Sequence, residues 1–152
     1  MPVFCADEQI HLVVSDLLVA VARFTLAQMR VPDEMECALL LVDADTIAVL
    51  NEEHMGHDGP TDVLAFPIDE PGESVQGPPA ILGDVVLCPA VAADQAPVNG
   101  HTTDQELAML TVHGILHLLG WDHRDEQEET VMFAHTAELL AAFYADTSTT
   151  QL

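Results

Sequence analysis

The chain has 152 residues, of which 49% are hydrophobic, enough for one folded unit with a sizeable core. Three arginines (Arg23, Arg30 and Arg124) and no lysine face 26 acids, for a formal net charge of −23. Such a surface repels nucleic acid and anionic membranes at long range and attracts cations and basic proteins, while the high apolar fraction excludes an acidic disordered chain.

Cys5, Cys37 and Cys88 are odd in number and show no CxxC spacing. That excludes a disulfide framework and a cysteine zinc cluster, and leaves three small hydrophobes in a reducing, cytoplasmic setting. The opening "MPVFCADEQIHLVV" lacks a basic segment followed by an apolar one, so no signal peptide is expected. No apolar run approaches membrane-spanning length.

In chain order, residues 2–6 predict a short strand. Helical spacing of Ile10, Val13, Val14, Leu17, Leu18, Val21, Phe24 and Leu26 predicts a helix from about Glu8 to Met29, ended near Val31-Pro32. "MECALLLVD" (35–43) reads as a buried strand. "DADTIAVLNEEHM" reads as a helix capped by Asp43 or Asp45, and "HDGP" (57–60) as a turn. "TDVLAFP" (61–67) is a strand that Pro67 stops, and 69–79 is a Pro/Gly-rich surface loop. "AILGDVVLCP" (80–89) is a further strand, with Gly83 marking a bulge or a close approach. Helical patterns follow at about 89–96, 102–119 and 125–145. The expected order is βαβαββααα: one α/β (mixed α+β) domain over 1–152, with a mixed sheet of about four strands covered by helices.

The chemistry concentrates in "HGILHLLGWDH", 113–123. His113 and His117, four apart on a helix, project from one face and can aim both imidazoles at one point. Gly120 stands where a left-handed residue would end the helix and turn the chain back. His123 would then arrive at a third corner. Three nitrogen ligands around one zinc leave a coordination position open, the pattern of a catalytic site. A lone histidine would signify a cap, a core or a surface group; three at this spacing predict a metal site. The spacing echoes the zinc peptidase motif H-E-x-x-H-x-x-G-x-x-H, but Gly114 replaces the glutamate that serves there as general base. Metal-assisted hydrolysis remains compatible, ordinary peptidase chemistry much less so. Asp122 is a candidate for orienting an imidazole.

"HGILHLLGWDH", "GPTDVLAFPIDE" (59–70) and "LGDVVLCP" (82–89), in that order and spacing, closely resemble the YbeY family, and the tail "MFAHTAELLAAF" fits as well. The resemblance covers nearly the whole chain. It implies a cytoplasmic zinc-dependent endoribonuclease acting on single-stranded RNA in 16S rRNA maturation, small-subunit assembly and ribosome quality control. His113, His117 and His123 would bind one Zn2+. Partners would be the small ribosomal subunit, a basic ribosomal protein and an assembly GTPase. Two features depart from the pattern. Met55 stands where many members carry an arginine implicated in activity, and cations to gather phosphate are scarce, Arg124 being the one near the proposed ligands.

Among other residues, Asp62 and Asp84 are weak candidates for a base or for a group that holds a histidine tautomer; a hydrogen bond to strand-end backbone explains each equally well. Thr61 reads as a backbone-positioning residue. His54 and His57 read as exposed loop histidines rather than a second metal contact, and His11, His101 and His135 as isolated surface residues. Trp121 suits packing over the histidine turn at least as well as stacking on a base. "RDEQEE" (124–129) reads as a solvated helix start. Two rivals to the nuclease stand open: a non-catalytic assembly factor with a structural zinc, and a metal-dependent hydrolase of peptides or small molecules.

Overall fold

The computed structural model describes residues 2–71, 80–122 and 125–150. Nine elements follow in chain order: β1 (Val3–Glu8), α1 (Ser15–Gln28), β2 (Glu36–Val42), α2 (Ala44–Met55), β3 (Val63–Pro67), β4 (Ile81–Leu87), α3 (Pro89–Gln95), α4 (Thr103–Leu118) and α5 (Glu126–Thr150). This is the expected βαβαββααα order. Most of the predicted 69–79 loop lies outside the described residues.

The four strands form one sheet in the order β1-β2-β4-β3. β1, β2 and β4 run parallel, and β3 is antiparallel to β4. Central β2 and β4 are almost continuously apolar because helices cover both faces. On one face α1 and α4 pack around Leu39, Leu41, Val85, Leu107 and Ile115. On the other, α2 packs through Ile47 against Val42, Leu64 and Val86. The outermost layer is α5, whose Met132, Leu139 and Phe143 meet Val21, Val112 and Leu116.

One boundary differs from expectation. The chain stays extended to Glu8, paired with Val42, and α1 begins only at Ser15. Ile10 and Leu12 are exposed. Their spacing imitates a helix, but strand pairing with β2 holds residues 6–8, and the following residues must carry the chain back across the sheet. Gln9 and Asp7 close a local turn there, with the Gln9 amide donating to Asp7 Oδ1 at 2.8 Å.

Asp43 caps α2, its Oδ1 accepting the Thr46 N–H at 2.8 Å; this resolves the choice between Asp43 and Asp45. Gly83 serves both predicted purposes. The β2–β4 register slips beside it, with Glu36 opposite Ile81 but Cys37 opposite Gly83. Its φ is +153°, and a Cβ there would strike the Phe66 carbonyl oxygen. Cys37 and Cys88 are buried and Cys5 half-buried, all as free thiols.

Candidate metal centre and cleft

Helix α4 begins with a reciprocal cap. Thr102 Oγ1 accepts the Gln105 N–H at 3.2 Å, and Gln105 Oε1 accepts the Thr102 N–H at 2.9 Å. The helix ends in a Schellman turn: the Gly120 N–H donates to the His117 carbonyl and the Trp121 N–H to the Leu116 carbonyl, each at 3.0 Å. Gly120 takes φ +95°, the left-handed value assigned to it from sequence. Between these ends the helix lies close on the sheet. A Cβ on Gly114 would come 2.5 Å from Val85 Cγ1 and 3.3 Å from Val63 Cγ2. The position after His113 therefore faces the sheet, so a glutamate there would be driven into Val85 and Val63.

The neighbouring stripe of α4 borders a cleft of about 890 Å³. Glu106, Met109, Leu110, His113 and His117 line it, the i, i+3, i+4, i+7, i+11 spacing of one helical face. Across from them stand Thr61, Asp62, Val63 and Ala65 at the start of β3, and Phe133 of α5. The far end is closed by α3 and the turn after it, with Asp94, Asn99 and His101.

The His113 and His117 ring centroids lie 4.9 Å apart with planes at 80°. Two imidazoles bound through nitrogen at about 2.1 Å to one tetrahedral ion would have centroids roughly 5 Å apart. The pair thus fits two corners of one metal site. Phe133 stacks on His113 at 5.5 Å, walling one side of its ring. His123 lies outside the described residues, as does Arg124. Among the described residues no group of three His, Cys, Asp or Glu is gathered for a metal.

Asp62 shares the cleft with both histidines. Its Oδ1 accepts the Val63 N–H at 2.8 Å and the Thr61 hydroxyl at 3.3 Å, so it also organises the strand start. Asp84 is placed elsewhere. It follows Gly83 on β4 and alternates with Val85, whose methyls meet α4; its side chain is thus on the α2 face, and it does not line the cleft. Asp122 borders a separate hollow beside Trp121, Asp125 and Glu128.

Trp121 packs with Met132 and Leu116. It stacks on His135 at 4.8 Å and 7° between planes, covering the end of α4. Asp125 caps α5 by accepting the Glu128 N–H at 2.8 Å. His54 meets the edge of Phe66 at 5.1 Å, and Met55 is 43% exposed at the end of α2, outside the cleft lining. His11 and His57 are exposed.

His101 is not the isolated surface residue expected. Gly100, at φ +74°, turns the chain after α3, and the His101 N–H donates to the Ala96 carbonyl at 2.8 Å. The ring thereby reaches Glu106, with Nδ1 2.8 Å from Oε2. Glu106 is 1% exposed and its Oε1 accepts the Asn99 side-chain amide at 3.0 Å. Glu106 was passed over in the sequence. The signal lay in the cap: Thr102 at N-cap puts His101 at N′ and Glu106 at N4, positions that meet across a helix start. Glu106 is also two turns before His113 on the same face.

A family model described as endoribonuclease YbeY matches residues 5–144. An endoribonuclease YbeY of Salinispora tropica is 52% identical, aligned over 94% of this chain and 96% of its own. That of Acidothermus cellulolyticus is 53% identical, covering 85% of this chain and 83% of its own. Among solved structures, the solution structure of TM1509 from Thermotoga maritima superposes with a TM-score of 0.62 at 27% identity, covering 97% of this chain and 93% of that one. The mixed four-stranded sheet and these relatives agree, and the chain belongs to the endoribonuclease YbeY family.

Proposed function

We propose that this chain is a single-domain metal-dependent endoribonuclease that cuts single-stranded rRNA during 16S maturation, small-subunit assembly and ribosome quality control in the cytoplasm. Membership of an endoribonuclease family makes it a nuclease, hence a hydrolase. The observation that carries the metal-dependent reading is the His113–His117 pair, 4.9 Å between centroids at the wall of a cleft that Asp62 shares. His113, His117 and His123 are the proposed ligands of one Zn2+. When bound, the ion supplies Lewis-acid polarisation of a water or a phosphoryl oxygen. The chain's own groups do the rest. Val63, Ala65, Met109 and Leu110 give the cleft an apolar wall. The Asp62 carboxylate, fixed through Oδ1, leaves Oδ2 as a proton acceptor in the cleft that the histidine pair also lines. Asp84, on the other face, is the weaker candidate for that role.

The test compares cleavage of a single-stranded rRNA fragment by the zinc-loaded chain and by a folded His117→Ala variant, at low salt. We expect at least about a hundredfold loss in the variant, with a matching loss of bound metal. Equal activity in both would remove catalysis from this site.

One observation favours a second reading: among the described residues no arginine or lysine lines the cleft. A non-catalytic factor would dock its acidic surface on a basic ribosomal protein of the small subunit, with an assembly GTPase as a further partner. It would bind the subunit yet leave the rRNA fragment intact.

A further inference from the structure

The end of the cleft away from His113 and His117 holds a second set of polar side chains that the metal reading does not use. Glu106 is 1% exposed, and both of its oxygens meet nitrogen: Asn99 Nδ2 at 3.0 Å and His101 Nδ1 at 2.8 Å. A buried acid is costly unless it is well partnered. Here a buried side chain is spent on orienting one imidazole whose own ring is 36% exposed. A carboxylate can only accept, so its partner nitrogen must carry the proton. In the neutral ring this places the hydrogen on Nδ1 and the lone pair on Nε2, the nitrogen on the side of the ring away from Glu106.

We propose that His101 is a ribose-recognition residue: its Nε2 accepts a hydrogen bond from the 2′-hydroxyl of an RNA nucleotide lying along the cleft, with Glu106 as the positioning residue behind it. The inference rests on the RNA-cleavage reading above. Three features favour a hydroxyl over a phosphate oxygen. A lone pair needs a donor, which a phosphate oxygen is not. The same cleft carries the carboxylates of Asp62, Asp94 and Glu106 and no cationic side chain among the described residues, an environment unsuited to gripping phosphate. The 2′-hydroxyl is also the group by which a protein tells RNA from DNA. The reach is suitable as well. Glu106 precedes His113 by seven residues, roughly 10 Å along the helix axis. At about 3.4 Å per stacked nucleotide that length spans about three. A strand held at the histidine pair would therefore present a neighbouring sugar to His101.

The experiment measures binding of a fluorescein-labelled single-stranded oligoribonucleotide, and of the 2′-deoxy oligonucleotide of the same sequence. Binding is read by polarisation on the zinc-loaded full chain, at low salt and in the cold. We expect the parent to prefer RNA by about fivefold, the worth of one net hydrogen bond. His101→Phe should lower RNA affinity to the DNA level and leave DNA affinity unchanged. Nitrogen-15 NMR of the parent should show His101 protonated on Nδ1, with that tautomer preference lost in Glu106→Gln. Equal binding of RNA and DNA by the parent, no binding of either, a preference that survives His101→Phe, or a proton resident on Nε2 would each overturn the proposal. Cleavage followed in parallel separates it from the functional reading: a His101-dependent RNA preference without His117-dependent cleavage sustains ribose recognition and rejects the nuclease.

Discussion

Gly114 shows how one missing side chain can carry two consequences. Its hydrogen sits where a Cβ would come 2.5 Å from Val85 Cγ1, and Val85 is fully buried. Gly114→Ala gains helix propensity yet forces α4 off the sheet, so we expect a net loss of about 1–3 kcal/mol and a thermal midpoint several degrees lower. An unchanged or raised midpoint would show that the helix can lift at no cost. The same contact explains why the peptidase glutamate has no room at this position. The thiols tell a parallel story. Burial, with Asp84 nearby, pushes the Cys37 thiol up to about 12, so neutral Cys37 contributes stability below its unfolded value near 9. That contribution fades as pH rises from about 9 towards 12, because the unfolded chain releases the proton first. Below that range Cys37 should resist alkylation in the native state, measured by thiol titration before and after denaturation.

Element by element, α4 is the frame of the site, and its two ends can be tested separately. Thr102→Ala removes one half of the reciprocal cap and should cost about 1 kcal/mol, read as a lower denaturant midpoint at unchanged slope. At the other end, Gly120 adopts φ +95°. Gly120→Ala should cost about 1–2 kcal/mol in left-handed strain. Because the turn leads directly to His123, it should also weaken zinc binding in a competition titration with a chelator. Zinc affinity unchanged by Gly120→Ala would mean that the turn does not deliver a ligand. The C-terminal end was legible in the sequence, since a left-handed glycine is a local device; the Thr102 cap, equally local, emerged only with the structure. The start of α1 was not legible, because the apolar spacing at Ile10 and Val13 is the same whether residues 6–8 pair with β2 or coil into a helix.

Over the whole molecule, the governing quantity is a net charge of −23. Arg23 lies on α1 and Arg30 just after it; both are exposed, and neither lines the cleft. RNA affinity should therefore depend weakly on salt. Single strands lose affinity with a log–log slope of about −0.7 per phosphate neutralised, so we expect a slope no steeper than about −1 between low and moderate salt. A slope several times steeper would require a basic surface that the sequence does not possess. Among the described residues no helix is long and apolar enough to cross a membrane.

The sequence by itself determined the order and type of the nine elements among the described residues, the glycine bulge at 83, the glycine turn at 120, and a histidine pair one helical turn apart. Each is written in short-range periodicity and local backbone chemistry. The tertiary structure decided which of the remaining polar residues share a space. It set Asp62 in the cleft that His113 and His117 also line and carried Asp84 to the opposite face, although both aspartates stand in strand segments of like appearance. It also turned His101 from a lone surface residue into the partner of a buried carboxylate. No spacing rule separates these cases, because strand order and a turn after α3 fix them, and both arise from packing between parts of the chain distant in sequence.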